Sequence, residues 1–146
     1  MTWPSAEQLD DLVLRFREGR LPKQEWTHLA HLAVGTWHVR QSGPTAAIEQ
    51  LRERIRRLND FHGTPNTETG GYHETITRAY VFLIADLLRT WPVEAEPADC
   101  ALAVLASPIA KRGALLVYYS KERLMSVSAR LGWMEPDRQA LVVGVG

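Results

Sequence analysis

The stretch Trp26-Thr27-His28-Leu29-Ala30-His31-Leu32-Ala33-Val34-Gly35-Thr36-Trp37-His38 limits this chain more than any other. Wound at about 100° per residue, it places His28, His31, Gly35 and His38 in one narrow stripe. Trp26, Ala30, Ala33, Val34 and Trp37 lie roughly opposite, and Leu29 and Leu32 fill a flank. A helix with so little charge in its middle has to be covered by other elements. Its imidazoles then need partners, because an unpaired buried polar group costs about 1–3 kcal/mol.

The elements to cover it are legible on both sides. Ser5 and Gln8 form a capping-box pair, and Leu9, Leu12, Val13 and Phe16 mark an amphipathic first helix ending at Gly19. Pro22 suits the opening of the histidine helix, which runs to about Arg40 and is broken at Gln41-Ser42-Gly43. Pro44-Thr45 starts a third helix with Ala47, Ile48, Leu51, Ile55 and Leu58 on one face and an arginine-rich remainder. Residues 59–71 are dense in turn formers and read as a long loop. A fourth helix, from about Tyr72 to Thr90, is apolar over most of its surface. Pro97 opens a fifth, through Ala106. The rest reads as short helical turns, with Ser120 capping Lys121–Met125, and residues 142–146 form a tail. The expectation is one all-α domain over residues 1–146, a bundle of five to six helices with the second and fourth central.

With 17 basic and 17 acidic residues the formal net charge is zero, so no general attraction to nucleic acid or to an anionic membrane is implied. The apolar runs stop short of membrane-spanning length. The first residues lack the basic start and apolar core of a signal peptide, which makes a cytoplasmic protein the expectation. Cys100 is the one cysteine, so an internal disulfide is impossible, and its apolar neighbours mark it as a core residue.

All five histidines lie between positions 28 and 73. His28 and His31, three apart, put their rings on adjacent turns of one helix face, a spacing by which a helix can chelate a metal. Glu25 also precedes His28 by three, but it falls on the opposite side of His28 from His31. His73, at the start of another inward-facing helix, is the natural third ligand. Three imidazoles without a thiolate suit a divalent transition metal (Zn, Fe, Cu or Mn) with an open position for water or substrate. Tyr72, Glu74 and Thr77 are then the candidates for acid–base work or for accepting an imidazole N–H. The expected function is a small metal-dependent enzyme, hydrolytic or oxidative, acting on a small molecule. The alternative is a metal-free binding module whose buried histidines form a hydrogen-bond network. On that reading His73 caps its own helix and His38 is a satisfied core residue.

Four segments together, His28-x-x-His31-Leu32, Tyr72-His73-Glu74-Thr75-x-Thr77, Tyr119-Ser120-x-x-Arg123-Leu124 and Glu135-Pro136-Asp137, resemble a family of small helical bacterial proteins. The resemblance spans about Trp26 to Leu141. It implies that these segments belong to one site, that Ser120, Arg123 and Arg130 line it, and that an arginine holds an anionic substrate.

Overall fold

A computed structural model describes residues 3–141, so the expected tail at 142–146 lies outside the described residues. The regular elements of the described residues are all helical: α1 (Ala6–Arg17), α2 (His28–His62), α3 (Glu74–Leu87), α4 (Pro97–Leu105), α5 (Lys121–Leu124) and α6 (Val127–Leu131), with short 3-10 turns between them. Among the described residues there is no strand, and none of the helices is long and apolar enough to cross a membrane.

Local chemistry places the boundaries. The Ser5 hydroxyl accepts from the Gln8 amide while the Gln8 side chain accepts from the Ser5 amide, closing the capping box of α1. Pro22 precedes a single 3-10 turn, Lys23–Glu25, rather than the histidine helix. That helix begins at His28, with the Thr27 hydroxyl accepting from the Ala30 amide. Glu25 is therefore not on the histidine helix at all; it pairs with Arg15 of α1 at 2.9 Å.

The 35-residue span of α2 is two arms, 28–42 and 44–62, joined at Gly43 (φ 79°, ψ 163°) and Pro44. Positive φ is costly for any residue but glycine, and Pro44 has the fixed φ suited to opening the second arm. The arms fold back on each other. In a straight helix His38 and Arg54 would stand about 24 Å apart along the axis, yet His38 Nε2 accepts from Arg54 Nη1 at 2.8 Å.

The main core gathers Leu9, Leu12 and Phe16 of α1, Ala33, Val34 and Leu58 of the two arms, Val81 and Ile84 of α3, and Cys100, Ala101 and Val104 of α4. Burying a leucine or phenylalanine of this kind contributes about 1.5–3 kcal/mol. The histidine helix and α3 are the central pair, with α1 and α4 packed against α2. A smaller cluster, including Ala79, Leu83, Tyr119 and Leu124, docks the C-terminal turns onto the far side of α3. α3 thus has one face toward each arm of α2 and another toward the C-terminal segment, and cavities open on both.

Candidate functional site

The first of these cavities is a cleft of about 300 Å³ between the second arm of α2, the 64–73 loop, the start of α3 and the 130–133 turn. Helical spacing builds it. Arg52 and Arg56 are four apart on one face of α2, and Glu74 and Arg78 are four apart on the facing side of α3. Arg130 of α6 closes the end. Four arginines and one carboxylate leave a formal excess of three positive charges in the lining.

Glu74 sits at the base, its side chain 9% exposed. It accepts twice from Arg52, Nε to Oε1 at 2.9 Å and Nη2 to Oε2 at 2.6 Å, a bidentate pair. The Tyr72 hydroxyl donates to Glu74 Oε1 at 2.8 Å. Burial pushes the Glu74 carboxyl up, but the hydrogen bonds from Arg52 and Tyr72 and the charges of Arg52 and Arg78 outweigh it, and the group ends below its usual range. Burial raises the Tyr72 hydroxyl well above its ordinary value. Glu74 is thus an ionised acceptor and Tyr72 a protonated donor. Arg78, the partner that the i, i+4 spacing suggests, is 3.8 Å from Glu74 Oε2. Its guanidinium lies instead over the ring of Trp133 at 5.1 Å, and its Nε is buried with no partner among the described residues.

The loop wall is held by one side chain. Asn66 Oδ1 accepts from Asn59 Nδ2 at 2.9 Å and from the Tyr72 amide at 3.0 Å, while its Nδ2 donates to the Arg56 carbonyl. Gly71 (φ +77°) lies so close that a Cβ there would meet Pro65 O at 2.5 Å and Asn66 Oδ1 at 2.7 Å. Arg130 Nη1 donates to Gly71 O at 2.8 Å. The segment 64–73 is a built wall rather than a plain connector.

The second cavity, about 180 Å³, lies between the two arms of α2 and α3 and is mostly apolar. Trp26, His28, His31, Thr77 and Tyr80 supply its aromatic and polar edge. The His31 ring stacks on Trp26 with centroids 3.6 Å apart.

The three histidines expected to act together are divided between places. His28 and His31 line the apolar cavity; His73 lines neither it nor the cleft. His73 is the N-cap of α3. Its Nδ1 accepts from the Ile76 amide at 3.1 Å and its Nε2 donates to Leu124 O at 2.7 Å, so both ring nitrogens are engaged. Among the described residues no group of three or more His, Cys, Asp or Glu side chains is placed to hold a metal ion. His38 is a fully buried core residue and His62 donates to Leu21 O at 2.7 Å.

Tyr72 and Glu74 come together in the cleft, while Thr77, a neighbour of the Tyr72 hydroxyl, lines the apolar cavity and donates its own hydroxyl to His73 O at 2.9 Å. Ser120 and Arg123, expected to hold substrate, lie away from the cleft. Ser120 caps α5 and donates to Asp137 Oδ2 at 2.7 Å, and Arg123 donates to the Glu135 carbonyl. Arg130 is the one residue of that C-terminal trio in the cleft. No protein-family model, curated protein or solved structure matches the chain. The site therefore has to be read from its own chemistry. Sequence reasoning names neither Arg52 and Arg56, which it leaves in the arginine-rich remainder of the third helix, nor Arg78 of the fourth, as site residues. The available signal was that Arg52/Arg56 and Glu74/Arg78 share the same four-residue spacing.

Proposed function

We propose that this protein binds a small anionic molecule, one bearing a phosphate or carboxylate group, in the cleft formed by Arg52, Arg56, Arg78 and Arg130. One observation carries the reading: four guanidinium groups line a cavity of about 300 Å³ whose single carboxylate already accepts from Arg52 and Tyr72. Paired guanidinium donors match the geometry of phosphate and carboxylate oxygens. Glu74 holds Arg52 in place, and the stacked Arg78 retains an unpartnered buried N–H. On this reading the protein is a binding module that draws on no metal, but its ligand-binding groups are arginines and not the buried histidine network of the sequence alternative. A three-histidine metal centre is not our reading, because His73 commits both ring nitrogens to backbone groups.

Isothermal titration with inorganic phosphate, pyrophosphate and citrate tests the proposal. Arg56 lines the cleft and its side chain makes no ion pair or hydrogen bond among the described residues. Arg56→Gln should therefore weaken anion binding about tenfold or more, the worth of one charge-assisted hydrogen bond, and leave thermal stability unchanged. No anion binding at millimolar concentration, or equal affinity in the variant, overturns it. So does stoichiometric metal in the purified protein that is lost alike in His28→Ala and His73→Ala.

A further inference from the structure

The apolar cavity between the arms of α2 and α3 is unused by the anion site, and its polar edge is unusual. The His28 Nε2 lies 2.9 Å from Ala110 O and the His31 Nδ1 lies 2.7 Å from Thr27 O. A carbonyl oxygen only accepts, so each ring places its proton there. In the neutral imidazole the other nitrogen, Nδ1 of His28 and Nε2 of His31, is then a lone-pair acceptor. Neither has a donor partner among the described residues, and both rings line the same cavity. The remaining walls are Trp26, Tyr80, Thr77, whose hydroxyl is given to His73 O, and aliphatic side chains such as Ile55 and Ile84.

We infer that this cavity is a second binding site, for a neutral single-ring molecule carrying one hydroxyl donor, a phenol by class. Size, lining and polarity agree on this. An apolar cavity of about 150 Å³ accommodates a benzene-sized ring, and this one is about 180 Å³. Aromatic and aliphatic walls take the ring, and a free ring nitrogen of one of the two imidazoles accepts the hydroxyl proton. A charged ligand is disfavoured here, because the lining holds no arginine, lysine or carboxylate. The site stands independently of the arginine cleft.

Titration calorimetry with phenol and with toluene, on the full chain, tests the inference. Toluene keeps the ring and removes the donor. Phenol is expected to bind the wild type at millimolar concentration or below. In the His28→Phe/His31→Phe double variant its affinity should fall about tenfold, the loss of one hydrogen bond, while toluene affinity stays within threefold. Ile55→Trp, which fills the cavity, should abolish both. Arg56→Gln should change neither, so failure of the anion proposal and failure of this one are distinguishable. Absence of phenol binding in the wild type, undiminished phenol binding in the double variant, or phenol binding that survives Ile55→Trp each overturns it. If the double variant does not fold by circular dichroism, the wild type decides the matter, since phenol binding no tighter than toluene overturns the inference.

Discussion

Acidification should destabilise this protein through His38, and the size of the effect follows from how that ring is held. His38 is fully buried, donates from Nδ1 to Val34 O at 2.7 Å and accepts at Nε2 from Arg54 at 2.8 Å. Protonating Nε2 would break the Arg54 bond and set two cations against each other. Burial first, and then the charges of Arg54 and Arg17, hold the imidazole down at about 4 against an ordinary 6.5. In the unfolded chain the ring takes up its proton near 6.5. Between these values the unfolded state binds one more proton than the folded state. Stability from this group is therefore fully present above about 6.5 and is lost as the pH falls toward 4. The whole shift is worth about 3 kcal/mol, and about 2 kcal/mol of it is gone by pH 4.5. Urea unfolding followed by circular dichroism at pH 7.5 and 4.5, in the wild type and in His38→Gln, isolates it, since other titrating groups cancel in the difference. The wild type's advantage over the variant should shrink by about 2 kcal/mol at the lower pH. Stability curves that stay parallel across this range would refute the reasoning.

Three further outcomes are expected. Gly71→Ala should cost about 3 kcal/mol and abolish anion binding, whereas Gly63→Ala, at φ +72° with nothing within 4 Å, should cost about 1 kcal/mol by the same unfolding assay; equal costs would deny the tight approach of Gly71 to Asn66. Arg52→Met should destabilise by about 2 kcal/mol, discounted from a fully buried pair because the Arg52 side chain is 39% exposed, and adding Glu74→Leu should recover most of the loss. His73→Ala should cost about 2 kcal/mol through the α3 cap and the Leu124 bond, and His73→Asn, which can still cap, should recover about half, as read from the thermal midpoint.

The fold was legible where its cause is local. The Ser5–Gln8 capping box, the break at Gly43-Pro44 and the serine cap at Ser120 each depend on residues a few positions apart, and each is where the pattern places it. The site was legible only in part, because its bonds span the chain. Tyr72 and Glu74 share a hydrogen bond, but the main partner of Glu74 is Arg52, 22 residues away, which no periodicity announces. His73 was drawn into a ligand set by residue type. Its position as N-cap turns the ring back over its own first turn, where a backbone amide and the Leu124 carbonyl take both nitrogens. Arg123 likewise looked free by type and is occupied by a backbone carbonyl 12 residues away.

The reversal at Gly43 bears on how the molecule forms as well as on what it holds. Its two arms meet with no loop between them, so bringing them together restricts very little chain. Contacts between residues close in sequence form fastest, and the segment 28–62 supplies its own packing partner within 35 residues. The arms should therefore be the first structure to persist during refolding, before α3 supplies Glu74 to the arginines already waiting on the second arm. Pulse-labelled hydrogen exchange would then find the amides of both arms protected ahead of those of α3. The arginine cleft would be completed only once α3 and then α6 with Arg130 are in place, and protection of α3 before the arms would reverse that order.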